Sequence, residues 1–201
     1  MAERAPRADA RRNRERVLAA ARRAFAEQGY GVPLDEIAAA AGVGPGTVYR
    51  HFPTKEALFE AVSVANVEEL AADARARAEA ADPVLAFDGF LERLAEQALA
   101  KRDLPDAFAG AGAQAAAAAV ADFHEALGVL LSTAQAAGGV RRDVRVGDLL
   151  ALFKGLLHAV RSDPDPDVRH RVLAVVRDGL HPRMDEDQPF DRSGEAHTHI
   201  S

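Results

Sequence analysis

Apolar residues recur along this chain at three- and four-residue intervals, and nowhere do they alternate every second position for long. That spacing gathers them on single faces of helices rather than strands, so the expected class is all-α. Val17, Leu18, Ala21 and Phe25 mark a helix from about Asp9 to Gln28, stopped by Gly29. After Tyr30 and Pro33, Leu34, Ile37, Ala38 and Ala41 mark a second helix, with Asp35 and Glu36 in the first turn, where the helix dipole favours carboxylates. Gly42 can take the positive φ that ends a helix. Pro45 suits the first turn of a third helix, and Pro53 soon pushes Phe52 out of the α region. Thr54 is then an N-cap for a fourth helix running to about Ala80, with Leu58, Phe59 and Val62 near its start.

The third helix is about two turns long, too short to hold itself together in water. Val48 and Phe52, with Val43 in the turn before them, can pin it to a small core shared with Phe25 and Ile37. Its other side carries Thr47, Tyr49, Arg50 and His51, donors and flat rings that suit phosphates and base edges. On a generic helix these would more simply be a solvated face; a helix this short has little use as scaffold alone.

Gly42-Val43, then Gly46-Thr47-Val48-Tyr49-Arg50-His51-Phe52, then Lys55-Glu56-Ala57-Leu58-Phe59 is similar to the DNA-binding signature of the TetR family of transcriptional regulators, over roughly residues 11 to 60. The resemblance implies an all-α homodimer with one helix-turn-helix per subunit and a helical ligand-binding domain behind it. It implies a recognition-helix role for Pro45, Gly46, Thr47, Tyr49 and His51, and a phosphate contact for Lys55. Two positions depart from the pattern. Gly44 stands where a side-chain cap of the recognition helix is usual, and Pro33 stands where a phosphate-touching Ser or Thr commonly opens the preceding helix.

Net charge is −6, which taken alone argues against a nucleic-acid partner. Its distribution argues the other way: the first 23 residues hold eight Arg against Glu3, Asp9 and Glu15, leaving the remainder at −11. A basic arm on an acidic body fits contact with DNA at one end. Arg11, Arg12, Arg14, Arg22 and Arg23 line the first helix outside its apolar stripe, either to solubilise it or, with Arg11 and Arg14 foremost, to touch phosphates. There is no cysteine, which excludes disulfides and thiolate sites. No run of eighteen apolar residues and no export signal is present, so a soluble cytoplasmic protein without membrane contact is expected.

Beyond Asp82-Pro83 the pattern predicts a helix to about Lys101, a short segment at 104–111, a long helix at 114–137 ended by Gly138-Gly139, and two more at 146–161 and 165–180. The last two are apolar around more than one stripe: Phe153, Leu157, Val172 and Val176 are among more side chains than one subunit can cover. A homodimer interface built from these helices is the expected solution. Phe87, Phe90, Phe108, Phe123 and Phe153 lie on helices that would enclose an interior, with His124 and His158 as polar anchors; the expected ligand is apolar or aromatic. The same phenylalanines would also serve as plain core.

Other chemistry is thinly represented. Gly42, Gly44 and Gly46 follow no strand and precede no Gly-Lys-Ser/Thr, so a nucleotide loop is not expected. The histidines show no HExxH spacing; His181, His197 and His199, in or near the tail, offer at most adventitious metal binding. The expected organisation is a helix-turn-helix DNA-binding domain at 9–60, a helical ligand-binding and dimerisation domain at 61–181, and a disordered tail at 182–201. The expected function is a transcriptional regulator, a repressor released from a palindromic double-stranded DNA operator by a small molecule, with no cofactor and no catalytic residue. The alternatives are a helical small-molecule-binding protein whose basic arm is incidental, or a helical enzyme using His124 or His158.

Overall fold

The computed structural model describes residues 4–99, 113–162 and 167–182. Every regular element among them is a helix: α1 (Arg4–Gln28), α2 (Leu34–Ala41), α3 (Pro45–His51), α4 (Lys55–Ala78), α5 (Pro83–Leu99), α6 (Ala113–Ala136), α7 (Val146–Ser162) and α8 (Val168–Leu180). The all-α expectation holds. One boundary moves by more than a turn: α1 begins at Arg4 rather than near Asp9. Pro6 does not prevent this, because an N–H in a first turn has no intrahelical carbonyl to reach. The segment expected at 104–111, with Phe108, and the tail from 183 lie outside the described residues.

Local chemistry sets the helix ends around α3. Gly42 adopts φ 64° and ψ 37°, and the N–H groups of Gly42 and Val43 close back on the carbonyls of Ala39 and Ala38 at 3.0 and 3.1 Å, the Schellman arrangement. Pro33 and Gly44 precede α2 and α3 in extended backbone, and neither supplies a side-chain cap. Thr54 does: its hydroxyl accepts the Ala57 N–H at 3.1 Å and opens α4.

Two apolar cores result. The first joins α1 to α3 and the start of α4 through Val17, Phe25, Ile37, Val48, Phe52, Leu58, Phe59 and Val62. The second joins α4 to α8 through Leu70, Ala74, Phe87, Phe90, Phe123, Leu127, Leu130, Leu149, Phe153 and Leu180. α4 belongs to both, and it packs most extensively against α6. Arg22 of α1 pairs with Glu69, and Arg75 pairs with Asp122 of α6, so half-exposed ion pairs fix α4 on either side. By length and composition Gln114–Ala136 is apolar enough to cross a membrane. In this fold its Phe123, Ala126, Leu127, Leu130, Leu131 and Ala134 instead fill the second core.

The uncovered face of the last two helices is not the one expected. Phe153 turns into its own chain's core, and Val172 and Val176 are half-buried against it. Leu152 and Val175, each one position away, are 41% and 71% exposed. The Leu157 side chain lies outside the described residues.

Candidate nucleic-acid interface

α3 is held from one side only. Val48 and Phe52 are buried in the first core and Val43 packs against it, so the opposite face has to meet solvent. That face presents Pro45, Gly46, Arg50 and Tyr49, the last 49% exposed, with Thr47 and His51 half-buried at its margins. Arg50 lies along its own helix: Nε donates to the Gly46 carbonyl at 3.0 Å and Nη2 to the Thr47 hydroxyl at 3.4 Å. A guanidinium has five N–H donors, so this leaves others for a partner while fixing its direction. The His51 ring stands 6.3 Å from Phe52.

Cations from neighbouring elements converge on the same region. The Arg14 guanidinium sits 5.3 Å from the Phe52 ring centroid, which brings α1 to the C-terminal end of α3. Arg16 Nη2 donates to the Gly42 carbonyl at 3.0 Å, tying α1 to the turn. The other arm arginines divide: Arg11 lies 3.7 Å from Glu15, Arg12 pairs with Asp9, and Arg22 is taken up by Glu69.

Lys55, at the first turn of α4, places its ammonium 4.8 Å from the centroid of Tyr30. Tyr30 is stacked on Phe25 at 6.1 Å and meets Phe59 edge to face at 5.3 Å. Its hydroxyl donates to Glu56 Oε1 at 2.6 Å, a distance proper to a charge-assisted bond. Burial, followed by the bond to Glu56 and its negative charge, pushes the Tyr30 phenol up to about 12. The same bond, helped by the Glu56 backbone N–H and the Thr54 hydroxyl, holds the Glu56 carboxyl below its ordinary range. Across the neutral range this is therefore a phenol donating to a carboxylate.

Sequence reasoning named Arg11, Arg14, Pro45, Gly46, Thr47, Tyr49, Arg50, His51 and Lys55 for this surface. All stand on α1, α3 or the start of α4, with Arg11 the farthest out along the arm. It overlooked Arg16 and Tyr30 beside this surface, and Glu56 as the acceptor of the Tyr30 hydroxyl. The available signal was Tyr30: an aromatic with a polar tip beside a core seeks a hydrogen-bond partner.

The residues expected to bind a ligand are arranged differently. Phe87, Phe90, Phe123 and Phe153 are buried, and the Phe90 and Phe123 rings lie 6.4 Å apart as packed core. His124 and His158, expected as inward anchors, are exposed. Each follows an apolar position by one residue, which turns a side chain about 100° around a helix. A cleft of about 330 Å³ opens elsewhere, between α5 and α8, lined by Glu92, Ala95, Glu96, His170, Leu173, Ala174 and Arg177. Among the described residues no group of three His, Cys, Asp or Glu is placed to hold a metal ion.

Residues 17–62 match the family model for bacterial regulatory proteins of the tetR family, and residues 82–182 match that for the C-terminal domain of SbtR-like transcriptional regulators. The chain is 45% identical to a TetR transcription regulatory protein from Mycobacterium vanbaalenii, with a TM-score of 0.70 over 88% of this chain and 99% of that one. It is 35% identical to a TetR transcriptional regulator from Streptomyces coelicolor, with a TM-score of 0.69 over 84% of this chain and 98% of that one. RolR, solved in complex with resorcinol, shares the fold at 23% identity and a TM-score of 0.55, covering 86% of this chain and 89% of its own. No curated protein sequence matches the chain.

Proposed function

Because the chain belongs to the TetR family of transcriptional regulators, we propose that it is a cytoplasmic, homodimeric repressor that reads a palindromic operator with α3. One observation carries this reading. A short helix pinned through Val48 and Phe52 presents Tyr49, Thr47, Arg50 and His51 outward, with Arg14 and Lys55 beside it. Thr47, Tyr49, Arg50 and His51 would meet base edges and phosphates in the major groove; Arg11, Arg14 and Lys55 would meet phosphates. Leu152, Val175 and the half-covered Val172 and Val176 would seat the partner subunit, placing two copies of α3 on successive turns of DNA.

Release would follow a population shift. An apolar or aromatic ligand entering the second core, among Phe87, Phe90, Phe123 and Phe153, would favour a spacing of the two α3 helices that misses the grooves. α4, shared by both cores, would carry the change. Such a ligand acts only as far as it binds the two arrangements with different affinity.

Selection of bound duplexes from a random pool tests the reading. The expected result is a twofold-symmetric sequence with half-sites about ten base pairs apart or a multiple of that. Changing Lys55 to Ala should weaken binding similarly across sequences and make its salt dependence shallower. Recovery of no sequence, or of an asymmetric site bound by one subunit, would overturn it.

A further inference from the structure

Tyr30 lies off the recognition helix, yet its ring and its hydroxyl engage the two charged residues that open α4. Lys55 rests its ammonium against the ring at 4.8 Å, and Glu56 accepts the hydroxyl at 2.6 Å. The two charges are sequence neighbours, and that of Lys55 already acts on the Glu56 carboxylate. Glu56 is exposed, in the first turn of the helix whose lysine is proposed to meet a phosphate. A carboxylate at that place has two unfavourable options for DNA binding: it can pair with the lysine and neutralise it, or it can face the phosphate itself.

We propose that Tyr30 is a positioning residue for DNA binding, whose hydroxyl holds the Glu56 carboxylate away from Lys55 and from the phosphate that Lys55 contacts. The ring is a fixed post for this purpose, packed against both Phe25 and Phe59 at 6.1 and 5.3 Å. It supplies a face to the ammonium and a donor to the carboxylate, so that the cation stays available and the anion is occupied. This inference rests on the DNA-reading assignment above and adds a residue and a mechanism to it.

The test uses the full-length protein and the duplex it selects from a random pool, with affinity measured across a salt series. Tyr30→Phe keeps the ring and removes only the donor. It should weaken binding by roughly three- to ten-fold per dimer, the scale of one exposed charge pair in each of two subunits. Its slope of log affinity against log salt should become shallower by about one unit for each subunit whose lysine is neutralised. Glu56→Gln alone should bind as well as the wild type or better, and Glu56→Gln added to Tyr30→Phe should restore both affinity and slope. In a Lys55→Ala background, Tyr30→Phe should leave the slope where Lys55→Ala put it. Melting temperature, followed in parallel, separates these effects from loss of fold.

If Tyr30→Phe binds with wild-type affinity and slope, the proposal fails while the DNA-reading assignment stands. If Glu56→Gln alone is as damaging as Tyr30→Phe, the bond merely braces α4 and the proposal is likewise overturned. A wild-type protein that selects no duplex overturns both readings together.

Discussion

Phe25, Tyr30 and Phe59 at the N-terminal end meet ring to ring while their neighbours Lys55 and Glu56 reach outward. Phe87, Phe90, Phe123 and Phe153 in the other core are buried among apolar neighbours, with the exposed His124 ring 6.1 Å from that of Phe123. Both clusters are aromatic, and both supply the burial that holds helices together. The first also fixes polar groups in place, because its core is small and α2 and α3 are only eight and seven residues long, so that the side opposite each buried residue lies close to solvent. In the second, built from α5 to α8 and much of α4, the aromatics pack inward against one another and their aliphatic neighbours. Of its exposed apolar side chains, Leu85 lies on α5 and Val129 on α6, while Leu152 and Val175 lie on α7 and α8, where a second copy of the chain can cover them.

Deleting one ring from each core should separate their roles most strongly. Phe52→Ala should cost about 3–5 kcal/mol, abolish DNA binding by unpinning α3, and leave the dimer intact. Phe87→Ala, at a fully buried site, should cost about as much and lose the dimer together with DNA binding. Denaturation followed by circular dichroism, with sedimentation on the same samples, checks the pair; matching losses of assembly in both would erase the distinction. Placing Asp at both Leu152 and Val175 should weaken association by about 2–4 kcal/mol through buried, unpartnered charge. Sedimentation should then show monomers in which the N-terminal unit is still folded.

Tyr49→Ala probes the outward face alone. Unfolding stability should stay within about 0.5 kcal/mol, since the side chain is half exposed, while operator affinity falls by about 1–3 kcal/mol. The smallest effect is on pH dependence. Since the Tyr30 phenol is raised from 10.0 to about 12 on folding, its contribution to stability is complete below pH 10.0 and is lost as pH rises through about 12. In Tyr49→Phe, which leaves Tyr30 as the sole tyrosine of two, the phenolate absorbance should rise with a midpoint near 12. Adding Glu56→Gln should lower that midpoint.

What could be read from the chain and what could not divides along the same line as the two cores. The turn at Gly42, the N-cap at Thr54 and the pinning by Val48 and Phe52 depend on residues within one or two turns of each other, where glycine, proline and spacing decide the outcome. The ties from Arg16 to Gly42 and from Tyr30 to Glu56 each join residues 26 positions apart. Which charged side chain keeps its charge for a partner is settled by such contacts, as when Arg22 goes to Glu69 and Arg14 to Phe52. In α6 to α8 the difficulty is rotation rather than distance. A helix rich in apolar residues on most sides gives no single stripe to orient it, and an error of one position exchanges Phe153 for Leu152, or Val176 for Val175. The exposure of His124 and His158 is the same effect. The start of α1 at Arg4 shows the remaining limit, since the apolar stripe begins only at Val17 and gives no sign of how far the helix extends before it.

The central claim is that the exposed face of α3 enters the major groove, and methylation interference on the selected duplex tests it most directly. Methyl groups at guanine N7 project into the major groove, and those at adenine N3 into the minor groove. The predicted result is strong interference from N7 methylation at symmetric positions in both half-sites, weakened in Tyr49→Ala, with none from N3 methylation there. Interference confined to adenine N3, or an N7 pattern identical in wild type and in variants at Thr47 and Tyr49, would contradict it.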